Sequence, residues 1–148
     1  MIRNLLILIL LGGAAIGYTL YSERVVPASA QHKIAPAFSF ETLDGKKHSL
    51  ADFDDKVVVL NFWASWCAPC IIEFPPMLKL AEMTKNDSVF VFLSIDEEKS
   101  DIERFMKKNK IAEAKNILIA HDKRKIISRD LFKTYKIPET YIIAPGGM

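Results

Sequence analysis

Cysteine is nearly absent from this chain: of 148 residues, only Cys67 and Cys70 carry a thiol. Histidine is scarce as well. His32, His48 and His121 lie far apart, with no ligand spacing among them, and each reads as a surface residue. A structural zinc normally takes four protein ligands, and no second Cys or Cys/His pair exists, so no metal is expected. A c-type haem attachment site needs His after its second cysteine, but position 71 is Ile, and no cofactor is expected. Charge of one sign is also lacking. The formal net charge is only +2, and no basic run is interleaved with aromatics. That argues against a nucleic-acid partner.

What is there is Val57 to Cys70, VVVLNFWASWCAPC. Its first half is a continuous apolar run rich in β-branched residues, the pattern of a strand buried on both faces. Its second half delivers Cys67 and Cys70, separated by Ala68 and Pro69. A helix is expected to follow. A thiol at a helix start meets unsatisfied backbone N–H groups and the positive end of the macrodipole, and both favour the thiolate. The second thiol, one turn on, is close enough to form a Cys67–Cys70 disulfide. So short a loop removes little unfolded-state entropy, which makes a purely stabilising bond poor value. The pair reads as a thiol–disulfide redox site, with two unrelated free thiols as the alternative.

The N-terminus carries Arg3 and then an uncharged stretch from Leu5 to Tyr21, about the lower limit for a membrane-spanning helix. Residues 1–22 are expected to be a signal-anchor, with the amino terminus cytoplasmic and the rest exported. Ala28-Ser29-Ala30 is a small-x-small site of the kind signal peptidase cuts. Cleavage there, leaving a soluble periplasmic protein, is the competing outcome. Residues 23–35 read as a polar linker and residues 36–148 as the globular domain. Either export route puts the cysteines in an oxidising compartment.

Within the domain, Ala37–Leu43 and Lys46–Ser49 read as a small hairpin turning at Asp44-Gly45. Ser49–Phe53 reads as a helical turn. Val57–Ala64, Ser88–Ile95, Asn116–Ala120 and Thr140–Ala144 read as strands. Helices are expected over 67–85, 101–110 and 128–136. The first should carry Ile71, Phe74, Leu78 and Met83 on its buried face, broadened by Ile72 and Leu80, and should bend at Pro75-Pro76. The last should turn Leu131, Phe132 and Tyr135 inward. Asp96–Lys99 reads as a polar loop. Strands alternating with helices after residue 57 place the chain in the α/β class with parallel central strands.

Phe62 to Cys70, FWASWCAPC, resembles the active-site segment of the thioredoxin superfamily. Its extension through Ile71-Ile72-Glu73-Phe74-Pro75 gives WCxPCxxEFP, which is similar to the membrane-anchored TlpA, ResA and CcmG (DsbE) proteins of bacteria. Tyr135 to Ile143, YKIPETYII, is similar to that family's cis-proline stretch. The resemblance covers roughly residues 34–148. It implies a thioredoxin fold with an N-terminal β-hairpin extension and a central mixed sheet flanked by helices. Family members continue past the turn equivalent to Pro145-Gly146-Gly147 into another strand and a C-terminal helix. This chain stops at Met148, so the expected domain is one without those last elements.

The resemblance also implies roles. Cys67 is the attacking nucleophile, partly exposed, and Cys70 the buried resolving thiol. Ala68-Pro69 shapes the turn between them. Trp66 packs beside the cysteines and lines the substrate surface, while Trp63 belongs to the core. Ile137–Pro138 is cis, with Ile137 offering its backbone to an extended substrate. Asn61 stands where cytosolic thioredoxins carry a buried aspartate, and it cannot titrate. Glu73 matches a glutamate of ResA-like proteins implicated in thiol tuning, and that role is expected of it here. The implied partners are disulfide-containing exported proteins, apocytochrome c among them, and a membrane thiol donor of DsbD or CcdA type. The implied location is the bacterial inner membrane, facing the periplasm or cell exterior. A DsbA-like oxidant and a non-catalytic thioredoxin-like binding module are the alternatives, since direction depends on relative reduction potentials.

Overall fold

Two apolar runs, the longest among the described residues, form the middle of one sheet. In a computed structural model, which describes residues 33–147 and Gly13, β3 (Val57–Trp63) pairs in parallel with β4 (Ser88–Ser94). Strand β5 (Ile117–His121) extends the sheet in parallel beyond β4. Strand β6 (Glu139–Ile143) pairs antiparallel with the other edge of β3. The order is therefore β5-β4-β3-β6, a mixed sheet. Before it, β1 (Ser39–Glu41) and β2 (Lys47–Ser49) form a separate antiparallel hairpin, followed by a 3₁₀ turn over Leu50–Phe53.

The connections from β3 to β4 and from β4 to β5 step in the same direction across the sheet. Right-handed crossovers then put both helices, α1 (Ala68–Met83) and α2 (Lys99–Asn109), on one face. There Val59, Trp63, Phe90, Phe92, Ile117 and Ile119 pack against Phe74, Ala81, Ile102, Phe105 and Met106. The opposite face sends Val58, Leu60, Phe62, Val91 and Leu93 against Phe38 and Phe40 of the N-terminal segment. Burial on both faces is why β3 and β4 are apolar without alternation. The C-terminal turn is tied back, Gly146 N–H donating to Asp54 and Ala35 N–H to the Gly147 carbonyl.

Helix α1 is continuous through Pro75 and Pro76. Both prolines are exposed, as are Ile71 and Ile72, whose carbonyls they leave without a helical partner. The buried face matches the expected one at Phe74 and Leu78 and differs from it elsewhere. Cys70, Phe74 and Ala81 are buried, with Met77 and Leu78 packed beside them, while Ile71, Ile72, Leu80 and Met83 are exposed. A 3.6-residue period counted from Cys70 selects the first set.

The expected helix over 128–136 is instead a short π-helical segment, Ile126–Leu131. Lys125 and Lys133 flank it with φ of 57° each, a left-handed conformation that stops regular helix at both ends. Phe132 turns inward onto Phe62 and Tyr141, at ring distances of 5.5 and 4.9 Å. Leu131 and Tyr135 are exposed rather than inward, Tyr135 at 76%. His48 and His121 are half-buried rather than superficial. The His48 ring stacks between Phe40 and Phe53, and the His121 ring bonds to the Asp96 carbonyl. No described helix is long and apolar enough to cross a membrane. The Leu5–Tyr21 stretch apart from Gly13, Ala28-Ser29-Ala30, His32 and nearly all of the 23–35 linker lie outside the described residues.

Candidate functional site

Strand β3 ends at Trp63, and the chain turns before entering α1. The turn spans Ala64 to Cys67 and is closed by the Cys67 N–H donating to the Ala64 carbonyl at 3.1 Å. Cys67 caps α1. Its sulfur accepts the Cys70 N–H at 3.3 Å, in the position where a cap oxygen would otherwise sit. Ala68 and Pro69 fill the first helical positions, where a proline removes no helix hydrogen bond. Cys67 and Cys70 are joined in a disulfide, their Cα atoms 5.3 Å apart.

Both cysteines belong to the core beside Trp63 and Phe74. Cys67 is 5% exposed and Cys70 2%, so Cys67 is not the partly exposed residue that was expected. Bonded to Cys70 and seated against the core, it opens only narrowly to solvent. Its neighbours supply the outer surface. Trp66 is 66% exposed, and Ala68 and Pro69 are exposed beside it. Trp63 is fully buried against Phe74 and Phe105.

The β6 approach closes the other side. The Ile137–Pro138 peptide is cis. Glu139 pairs with Phe62, so Pro138 falls opposite Trp63, at the end of β3 from which the cysteine turn departs. Ile137 packs against the core cluster that holds both cysteines. Asn61 is buried on the same strand face as Val59 and Trp63, the cysteine side, and donates to Thr140 Oγ1 at 3.0 Å. Glu73 is exposed on α1, and no hydrogen bond or ion pair joins it to another described residue.

One group at the site is not marked by any motif of the sequence. Asp96, expected in a polar loop, is buried and accepts bonds from Ser65 and Ser94. An acidic residue set directly behind an eight-residue apolar strand was the available signal. Glu97, next to it, is a surface acid held below the usual carboxylate range by its 2.6 Å hydrogen bond to Lys125.

The site is a surface rather than a cavity. A groove beside it, about 220 Å³ between Ser65, Ile71, Arg104 and Phe105, is open to solvent. Such a site suits a disulfide carried on a polypeptide better than an enclosed small molecule. Among the described residues, no group of His, Cys, Asp and Glu side chains is gathered to hold a metal.

The Redoxin family matches residues 30–143 of the chain. Thiol-disulfide oxidoreductase ResA of Bacillus subtilis is 32% identical over 149 residues, covering 99% of this chain and 79% of that protein. ResA of Geobacillus thermodenitrificans is 37% identical over 106 residues, covering 70% of this chain. The chain spans 60% of the length of that relative and of its Geobacillus kaustophilus counterpart. Among solved structures, the thioredoxin domain of a thiol-disulfide oxidoreductase from Bacteroides vulgatus superposes with a TM-score of 0.67. It is 25% identical, with 78% of this chain and 81% of that one covered.

Proposed function

This chain belongs to the redoxin family, among its ResA-like thiol–disulfide oxidoreductases, and on that premise we propose that it reduces disulfides in exported proteins. The observation that carries the reading is the seat of Cys67. Its sulfur stands at the N-cap of α1, accepts a backbone N–H, and is within bonding reach of Cys70. A thiolate there is favoured by the N–H and by the helix dipole.

The reaction is two successive exchanges. The Cys67 thiolate attacks one sulfur of a substrate disulfide. That S–S bond breaks, a mixed disulfide forms, and one substrate thiolate leaves. Cys70 then loses its proton and attacks Cys67 Sγ, releasing the second substrate thiolate. The substrate has gained two electrons, and the protein is left with the Cys67–Cys70 disulfide. A further cycle needs two electrons from a dithiol donor, for which we propose a membrane protein of DsbD or CcdA type. Trp66, Ala68, Pro69, Ile137 and Pro138 form the substrate surface, and Glu73 tunes the thiols. Apocytochrome c is a fitting substrate by family likeness. The N-terminal segment, residues 1–22, anchors the protein in the inner membrane, and residues 23–35 tether the domain outside the cytoplasm.

The reduction potential of the full chain, equilibrated in glutathione or dithiothreitol buffers, tests the direction. A value below about −220 mV is expected of a reductant, whereas a value near about −120 mV would make the protein an oxidant.

A further inference from the structure

A buried carboxylate stands behind the cysteine turn and takes no part in the exchange chemistry above. Asp96 follows β4 and is 1% exposed. Its Oδ2 accepts the Ser65 N–H at 2.9 Å and the Ser94 hydroxyl at 2.6 Å. Its Oδ1 accepts the Ser65 hydroxyl at 2.8 Å. Ser65 and Trp66 are the two central residues of the Ala64–Cys67 turn. One residue earlier, the Ile95 N–H donates to the Trp63 carbonyl at 2.9 Å. Consecutive residues leaving β4 therefore hold two points on the chain leaving β3. Asp96 is itself held from β5, its carbonyl 2.8 Å from His121 Nε2.

The chemistry of this clasp is unusual for a stabilising contact. Among the described residues no cation pairs with Asp96; its donors are one amide and two hydroxyls. Burying a carboxylate without a counter-charge costs more than burying a neutral group would. What the charge supplies is bond strength, since hydrogen bonds to a carboxylate are roughly twice as strong as neutral ones. Both donors of Ser65 are engaged by the two oxygens of one group, so its backbone and its side chain are fixed together.

The clasp matters most in the state that attacks. In the disulfide, the covalent bond to Cys70 holds Cys67 at the head of α1. In the dithiol that bond is gone, and what remains around the turn is the Cys67–Ala64 and Ile71–Cys67 backbone hydrogen bonds, the core packing of Cys67 and the bonds from Ser65 to Asp96. We infer that Asp96 is a positioning residue, holding the reduced Cys67 sulfur at the N-cap of α1 through Ser65. The inference rests on the reading of Cys67 as the nucleophile.

The test uses the full chain in a Cys70→Ser background, where Cys67 is the only thiol. The pH dependence of its alkylation by iodoacetamide reports the thiolate. Ser65→Ala and Asp96→Asn should each raise the midpoint toward the ordinary thiol value of about 8.5, with at least about threefold slower alkylation below both midpoints. A midpoint left unchanged, with only the melting temperature lowered, would make the clasp merely structural and overturn the inference. A midpoint lowered by Asp96→Asn and unmoved by Ser65→Ala would also overturn it, by making Asp96 a through-space charge. Should Asp96→Asn not fold, Ser65→Ala decides, because it leaves the carboxylate in place. Insulin reduction by the unmodified dithiol, run alongside, tests the proposed function separately. Its absence would remove that function without settling the alkylation comparison.

Discussion

Cys67 and Cys70 differ in position although both are buried. The Cys67 sulfur sits at the N-cap, accepting a backbone N–H. Cys70 lies one turn inside α1, behind it. Replacing the inner thiol therefore leaves the first exchange possible and removes the second. Cys70→Ser is expected to accumulate a mixed disulfide through Cys67 when mixed with an oxidised protein substrate, and to lose catalytic turnover. Mass spectrometry under non-reducing conditions would detect the adduct, and full insulin turnover by the variant would contradict the two-cysteine route. How legible such residues are from the chain alone depends on whether their chemistry is local. The spacing of the cysteines and the helix start after them is local, and it reads directly. Asp96 and Ser65 are 31 positions apart, and nothing in their immediate neighbourhoods links them. Asn61 and Thr140 meet across 79 positions for the same reason. The two come together only when β6 pairs with β3.

At the scale of elements, α1 is held to the sheet chiefly by Phe74. Its ring stacks on Phe92 at 4.4 Å and meets Trp63 edge-on at 4.7 Å, in the core cluster that also holds both cysteines. Phe74→Ala should destabilise the protein by about 3–5 kcal/mol, through lost transfer energy and a residual cavity. Urea unfolding of the oxidised protein would measure it, and a loss under ~1 kcal/mol would mean that the core collapses around the site. The N-terminal hairpin has a different sensitivity. Asp44 at its turn is held by Lys46 and by the Thr42 hydroxyl, and its pKa falls from 3.8 to about 2. A carboxylate lowered on folding stabilises the native state above its unfolded pKa, and loses that contribution as pH falls through the folded one. The Asp44 contribution is therefore complete above pH 3.8 and disappears on acidification toward pH 2. Asp44→Asn should lack that component, so its stability should change less between those two values. Equal acid sensitivity in both proteins, read by unfolding across that range, would assign the effect elsewhere.

Across the whole molecule, the site is assembled from segments distant in the chain. Turn 64–67, the β4 exit at Asp96 and the β6 approach at Pro138 all lie at one end of the sheet. In open α/β sheets that carboxyl end is where ligands bind. Trp66, Ala68 and Pro69 face outward from it, as a protein substrate requires. The proposed anchor sets where such substrates are met. When the full chain is produced in a bacterium, it should sediment with the inner membrane. Its domain should become accessible to protease once the outer permeability barrier is opened. Recovery in the soluble periplasmic fraction would favour cleavage after Ala30, and recovery in the cytosol would remove the export reading.

Local signals along the chain are enough to specify the strand–turn–helix unit around the cysteines, the parallel core strands and the family. Each rests on apolar runs, close spacings and turn residues, which act over a few positions of chain. Only the tertiary structure decided which face of α1 is buried, because that depends on where the sheet lies beneath it. It also decided that 126–131 forms a short π-helical segment, since Phe132 must reach Phe62 and Tyr141. And it decided that Asp96 stands behind the active-site turn, since a buried carboxylate is explained only by donors the fold brings to it.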